Sequence, residues 1–256
     1  MPINYARRLT GHTRSAKSNR HLGFALAFVA GATNAGGFLA VQQYTSHMTG
    51  IVSAVADNLA LGAFALVGAG FGALLSFLLG AACTAVMVNY ARRRQRDSEY
   101  ALPLLVEALL LLAFGMLGAR LAGIEGLFIP ATVMLLCFIM GLQNALMSEI
   151  SHAEIRTTHV TGIVTDLGIE LGKFVYWNRG GARARPLVAA DPDRLKLLSA
   201  LLGSFFGGAL VGAFGFKLVG YLATVPLALV LCAFALVPTI DDVRGGLRRR
   251  AGKRRS

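Results

Sequence analysis

Two histidines with the same neighbours offer the clearest chemistry in this chain. The stretch Thr45-Ser46-His47-Met48-Thr49-Gly50-Ile51-Val52-Ser53 recurs as Thr157-Thr158-His159-Val160-Thr161-Gly162-Ile163-Val164-Thr165, identical at six of nine positions. Histidine changes charge near neutral pH, so His47 and His159 can carry protons or sense pH; the bland alternative is that each hydrogen-bonds its own loop. Thr49 and Thr161 can cap a following helix by accepting a free first-turn N–H, with Gly50 and Gly162 leaving the backbone accessible. Capping alone is one reading of the pair. The other is a ligand site shared by the two copies, with Thr45 and Thr157 included, where two helix N-termini offer N–H groups and partial positive charge to an anion or carboxylate.

Upstream of each copy an apolar stretch carries a small-polar break, Gly31-Ala32-Thr33-Asn34-Ala35 and Gly141-Leu142-Gln143-Asn144-Ala145. The offset is 110 residues at the breaks and 112 at the motifs. An amide inside an apolar helix must be paired, so Asn34 and Asn144 either line the same cavity or bind neighbouring helices together. Glu107 is the acid deep inside an apolar run, where a charge costs about 2.5–3.5 kcal/mol on insertion scales. It is a candidate for proton coupling, with Lys217 as a competing structural partner. Asp57, Asp166 and Glu170 fall on or beside the short segments after the motifs. Asp166 and Glu170 share a helical face and either handle a proton or cation, or are solvated surface charges.

The elements that must position these groups are apolar helices. Of 256 residues 55% are hydrophobic and 15% charged, and the mean hydropathy is +0.60, a balance that points to a membrane protein. A span needs about 20 mostly apolar residues; such runs lie near 22–42, 65–89, 101–119, 127–148, 197–218 and 220–238. Residues 51–90 are almost uninterrupted, about 60 Å as one helix and twice the hydrocarbon thickness, so a break is expected near Asn58–Gly62. That makes 50–61, and by the repeat 162–173, short half-helices.

The expected fold is therefore an all-α membrane protein with six transmembrane helices, arranged as two inverted three-helix repeats, each with a short re-entrant half-helix. Residues 1–20 form a basic N-terminus, 21–120 and 121–240 the two repeats, and 241–256 a basic tail, all in one membrane domain. Glycines in the second and fifth spans suit close helix crossings at the bundle centre. The net charge of +12 comes from clusters before span one, after span two, before span five and in the tail. With six spans these share one side, so both termini are expected in the cytoplasm. No interleaved basic fold for nucleic acid is present.

Catalysis finds no support. There is no Gly-x-Ser-x-Gly elbow, no Walker-type loop, no His-Glu-x-x-His and no metal-spaced cysteine pair, and Cys83, Cys137 and Cys232 sit in apolar runs as packing residues. No cofactor or metal is expected. The partners expected are the lipid bilayer, a small-molecule solute and a homo-oligomeric copy.

The duplicated Asn-Ala and His-x-Thr-Gly pattern resembles the YoaK-type bacterial membrane proteins, a domain of unknown function, over residues 20–240. The resemblance implies a bacterial inner-membrane protein, with drug export suggested for some members, and brings no catalytic residues. The functional expectation is a small-solute transporter or channel, for an anion or carboxylate, with its site between the repeats. The alternatives are a drug exporter and a non-transporting scaffold or sensor.

Overall fold

The computed structural model describes residues 16–94, 98–121, 125–151, 157–176 and 188–236. They form α1 (Ala16–Val41), α2 (Met48–Ala60), α3 (Phe64–Arg93), α4 (Ala101–Leu121), α5 (Glu125–Ser151), α6 (Val160–Val175) and α7 (Pro192–Val219). A 3-10 turn at Gly220–Ala223 follows, then α8 over residues 224–236. The basic N-terminal and C-terminal segments of the sequence reading lie largely outside the described residues.

Five stretches are long and apolar enough to cross a membrane: Asn19–Val41, Phe64–Arg93, Ala101–Ala119, Ile129–Ser151 and Pro192–Leu236. The last of these is 45 residues long, more than twice what one crossing needs. It is interrupted at Gly220, whose φ of 61° is positive, a conformation that glycine adopts without steric cost. The exterior is as apolar as the interior. Phe71, Leu75, Leu78, Leu79 and Val86 along α3 are each more than half exposed, a surface suited to lipid tails and not to water. The described helices are compatible with a multi-pass membrane protein.

The break expected near Asn58–Gly62 falls at Leu61–Ala63, where Gly62 takes a φ of 71°. The helices it separates, α2 and α3, fold back on each other, with Gly70 facing Val55. The short helices start two residues earlier than the sequence suggested, at Met48 and Val160.

Two helix pairs carry most of the packing, α1 with α7 and α3 with α5. In the first, Gly208 lies on the Phe28 carbonyl, Gly212 on Ala32 and Gly36 on the Phe216 ring; both numbers rise together, so the helices run parallel. In the second, Gly72 meets Met134 and Gly80 lies on the Phe138 carbonyl. There too the helices are parallel, and the Thr84 hydroxyl donates to the Leu142 carbonyl at 2.9 Å. A side chain at Gly80, Gly208 or Gly212 would overlap backbone, and one at Gly36 or Gly72 a neighbouring side chain, which is why small residues occupy these positions.

The crossings match. Gly31 lies against the Phe205 carbonyl and Gly141 against the Phe77 carbonyl. Gly31 and Gly141 are 110 apart, as are Phe28 and Phe138. The glycines of α3 and α7 are thus only partly central: Gly68, Gly203 and Gly207 approach nothing. Their partners in α1 and α5, Gly31 and Gly141, were not singled out as crossing points. Between the pairs, α1 and α5 run antiparallel: Asn19 Nδ2 donates to the Ile150 carbonyl at 3.2 Å, Gln143 Nε2 to the Leu26 carbonyl at 3.4 Å, and Gly37 meets Leu136.

Candidate functional site

Each motif turns at a histidine. His47 is the N-cap of α2 and His159 of α6, with similar backbone angles (φ −91°, ψ 71° and φ −82°, ψ 54°), and neither side chain caps its helix. Both rings fold back onto the glycine three residues on, so that a Cβ at Gly50 or Gly162 would overlap the ring. Thr49 and Thr161 are therefore second residues of their helices and not caps, which corrects the capping expectation. The Ile51 N–H reaches the His47 carbonyl and the Ile163 N–H the His159 carbonyl, each at 3.1 Å. The N–H groups that precede them in each first turn have no carbonyl four residues back within the helix.

The amides upstream hold these turns in place. The Ser46 hydroxyl donates to Asn34 Oδ1 at 3.0 Å, and the Thr158 hydroxyl donates to Asn144 Oδ1 at 2.8 Å. Asn144 Nδ2 also donates to the Met140 carbonyl at 2.8 Å. The same polar bond ties the end of a long helix to the start of a short one, twice over.

A cavity of about 940 Å³ lies where the two turns meet. Asn34, His47 and Thr49 line it together with Asn144, His159 and Thr161. Phe77 and Ala81 from α3 and Phe205 and Ala209 from α7 complete matched walls. Sequence reasoning missed Ser46 and Thr158, although the repeated motif contains them. It also missed Phe77 and Phe205, which only an alignment of the second spans would have paired.

The match to a known family spans both halves of this arrangement. The chain belongs to the family described as Protein of unknown function (DUF1275), whose model covers residues 22–237. Neither the comparison with curated proteins nor that with solved structures gives a match. Both motif copies and all the cavity residues fall within the matched range.

Other expected site residues lie elsewhere. Thr45 and Thr157 are buried at 1% exposure, their hydroxyls without a partner, and do not line the cavity. Gly50 faces a second cavity, and Gly162 sits beneath the His159 ring. Glu107 is fully buried and accepts a hydrogen bond from Gln143 Nε2 at 2.7 Å, while its other oxygen has no partner. Gln143, and not the exposed Lys217, is its neighbour.

Asp166 is an exposed charge in an ion pair, whereas Glu170 is buried. Arg194 Nη2 donates to Asp166 at 2.9 Å. Glu170 is buried at 1% and accepts from the Asp191 N–H at 2.9 Å and Lys173 Nζ at 2.8 Å. The Asp191 N–H, with Lys173 beside it, holds the Glu170 carboxyl below the usual carboxylate range. These acids fasten α6 to the start of α7, facing away from the central cavity. Among the described residues no cluster of His, Cys, Asp and Glu could hold a metal.

Proposed function

We propose that this chain is a membrane transporter or channel for a small solute, and that the cavity between the two motifs is its solute site. One observation carries the reading: the cavity is lined by matched residues of both motifs, Asn34 with Asn144, His47 with His159 and Thr49 with Thr161. A plain pair of helix caps gives no reason for both ends to meet at one space. First-turn N–H groups, threonine hydroxyls and imidazoles are hydrogen-bond donors, which favours an anion or carboxylate as solute. The aromatic and aliphatic walls accommodate an apolar body on the same molecule.

The packing directions support six crossings as two inverted halves. The matched helices α1 and α5 run antiparallel, and the turn at Gly220 divides the last apolar stretch into two passes. Arg92, near the end of α3, pairs with Glu99 and with Glu149 near the end of α5, so these ends share one side. Arg194 at the start of α7 belongs to that side in the same scheme. The positive-inside rule makes it cytoplasmic, with both termini there. The apolar helices, with the resemblance of the duplicated motifs to YoaK-type proteins, support a place in a bacterial inner membrane.

A second reading, export of a lipophilic compound, is favoured by Phe205, Phe206, Leu39 and Leu210 in the wall. Flux into proteoliposomes separates the readings. Benzoate should enter faster than into empty vesicles, and Ala209→Trp, which pushes an indole into the cavity from its wall, should reduce this at least about tenfold. Movement of ethidium without benzoate would favour drug export. Movement of neither would leave a non-transporting scaffold or sensor.

A further inference from the structure

Two residues of the central cavity have space on both sides. Tyr44 and His47 also line a second cavity of about 650 Å³, set between α2 and the first turns of α3 and α5. Tyr44 stacks on Phe38, with ring centroids 4.6 Å apart and planes 19° apart, and Phe38 lines the central cavity. The two spaces thus share Tyr44 and His47 in their walls.

The second cavity has its own polar and apolar parts. Ile51 and Val55 of α2 face Val133 and Met134 of α5 across it. The amides of Gln42, Gln43 and Asn58 reach it from the linker and from α2. Gln42 holds a positive φ of 54° directly after the last residue of α1, its N–H donating to the Phe38 carbonyl at 2.8 Å, which turns the linker at that point.

The other half of the molecule treats the matching space differently. Ala54 and Asn58 on α2 correspond by the 112-residue offset to Asp166 and Glu170 on α6. Leu66 on α3 corresponds to Arg194 on α7 by the register that matches Gly80 with Gly208. There the Asp166 and Arg194 side chains join at 2.9 Å, and Glu170 is fastened to the Asp191 N–H and Lys173. One ion pair and the Asp191 N–H bond tie α6 to the start of α7, where α2 and α3 leave a cavity.

We infer that the second cavity is a solute-binding vestibule, placed in series with the central cavity across Tyr44 and His47, and that it takes small carboxylates with an apolar body. The apolar part lies against Ile51, Val55, Val133 and Met134. The carboxylate accepts from the amides of Gln42, Gln43 and Asn58. This rests on the transport reading above and extends it to a second site.

Equilibrium dialysis of the purified full chain against radiolabelled benzoate tests it. Two bound benzoates per chain are expected. Ala54→Phe, or Val133→Trp as a variant on a different helix, should leave one, and Ala209→Trp should leave the other. A single site that Ala209→Trp removes and neither Ala54→Phe nor Val133→Trp alters overturns the vestibule and leaves the central site standing. Two sites untouched by both vestibule variants overturn it equally. No bound benzoate at all overturns the vestibule together with the carboxylate reading on which it rests.

Discussion

From His47 to Ile51, α2 has the construction that α6 has from His159 to Ile163: an N-cap histidine, its ring folded onto a glycine, and a buried isoleucine. One turn further along, α2 carries Ala54 and Asn58 beside a cavity, whereas α6 carries Asp166 and Glu170 in ion pairs. The histidines and threonines the half-helices share line the central cavity, and the turns in which they differ face opposite ends of the bundle. A common N-terminal turn suits one solute held by both halves. Unlike outer turns suit two routes to it, one open and one fastened by charge.

The comparison is broken most severely at the crossings. Gly141→Val drives a side chain into the Phe77 carbonyl and Gly31→Val into that of Phe205, and overpacking of this kind costs about 1–3 kcal/mol or more. Both variants should lose thermal stability in detergent to a similar degree. Gly68→Val, at a position with nothing nearby, should lose little. A large difference between Gly31→Val and Gly141→Val would show that the two crossings are not equivalent.

A gentler change sharpens the contrast between the outer turns. Arg194→Ala removes the partner of Asp166, and because the pair is exposed thermal stability should barely move. In protein freed of its native cysteines, a thiol placed at Leu167, the counterpart of Val55, should then react faster with an impermeant reagent than in the Arg194 background. Unchanged labelling would mean that the ion pair does not close this side.

The repeat and the break after α2 were legible because they are local: a repeated motif needs no tertiary knowledge, and an apolar run too long for the bilayer must break. Asn34, His47, Thr49 and their counterparts were placed in one cavity by the logic of two opposed copies. The capping role failed for a different reason. An N-cap is the residue where the backbone leaves helical angles, and here the turn from Gln42 sets that point at His47 in spite of the side-chain preference for Thr. The Asp166 ion pair was not legible because its partner, Arg194, comes from another helix and leaves no trace in local periodicity. Gly31 and Gly141 needed the register of two helix pairs, which hydropathy does not contain.

The central claim is that both halves hold one solute, and a double-mutant cycle on Thr49 and Thr161 tests it most directly. Thr49→Val and Thr161→Val each remove one hydroxyl from the cavity wall, worth roughly threefold or more in benzoate affinity by equilibrium dialysis. If the two hydroxyls serve the same bound molecule, both substitutions weaken the same site, and the double variant should bind more weakly there than either single variant. A double variant that binds no more weakly than the weaker single variant, or an affinity that neither substitution changes, would contradict a shared site.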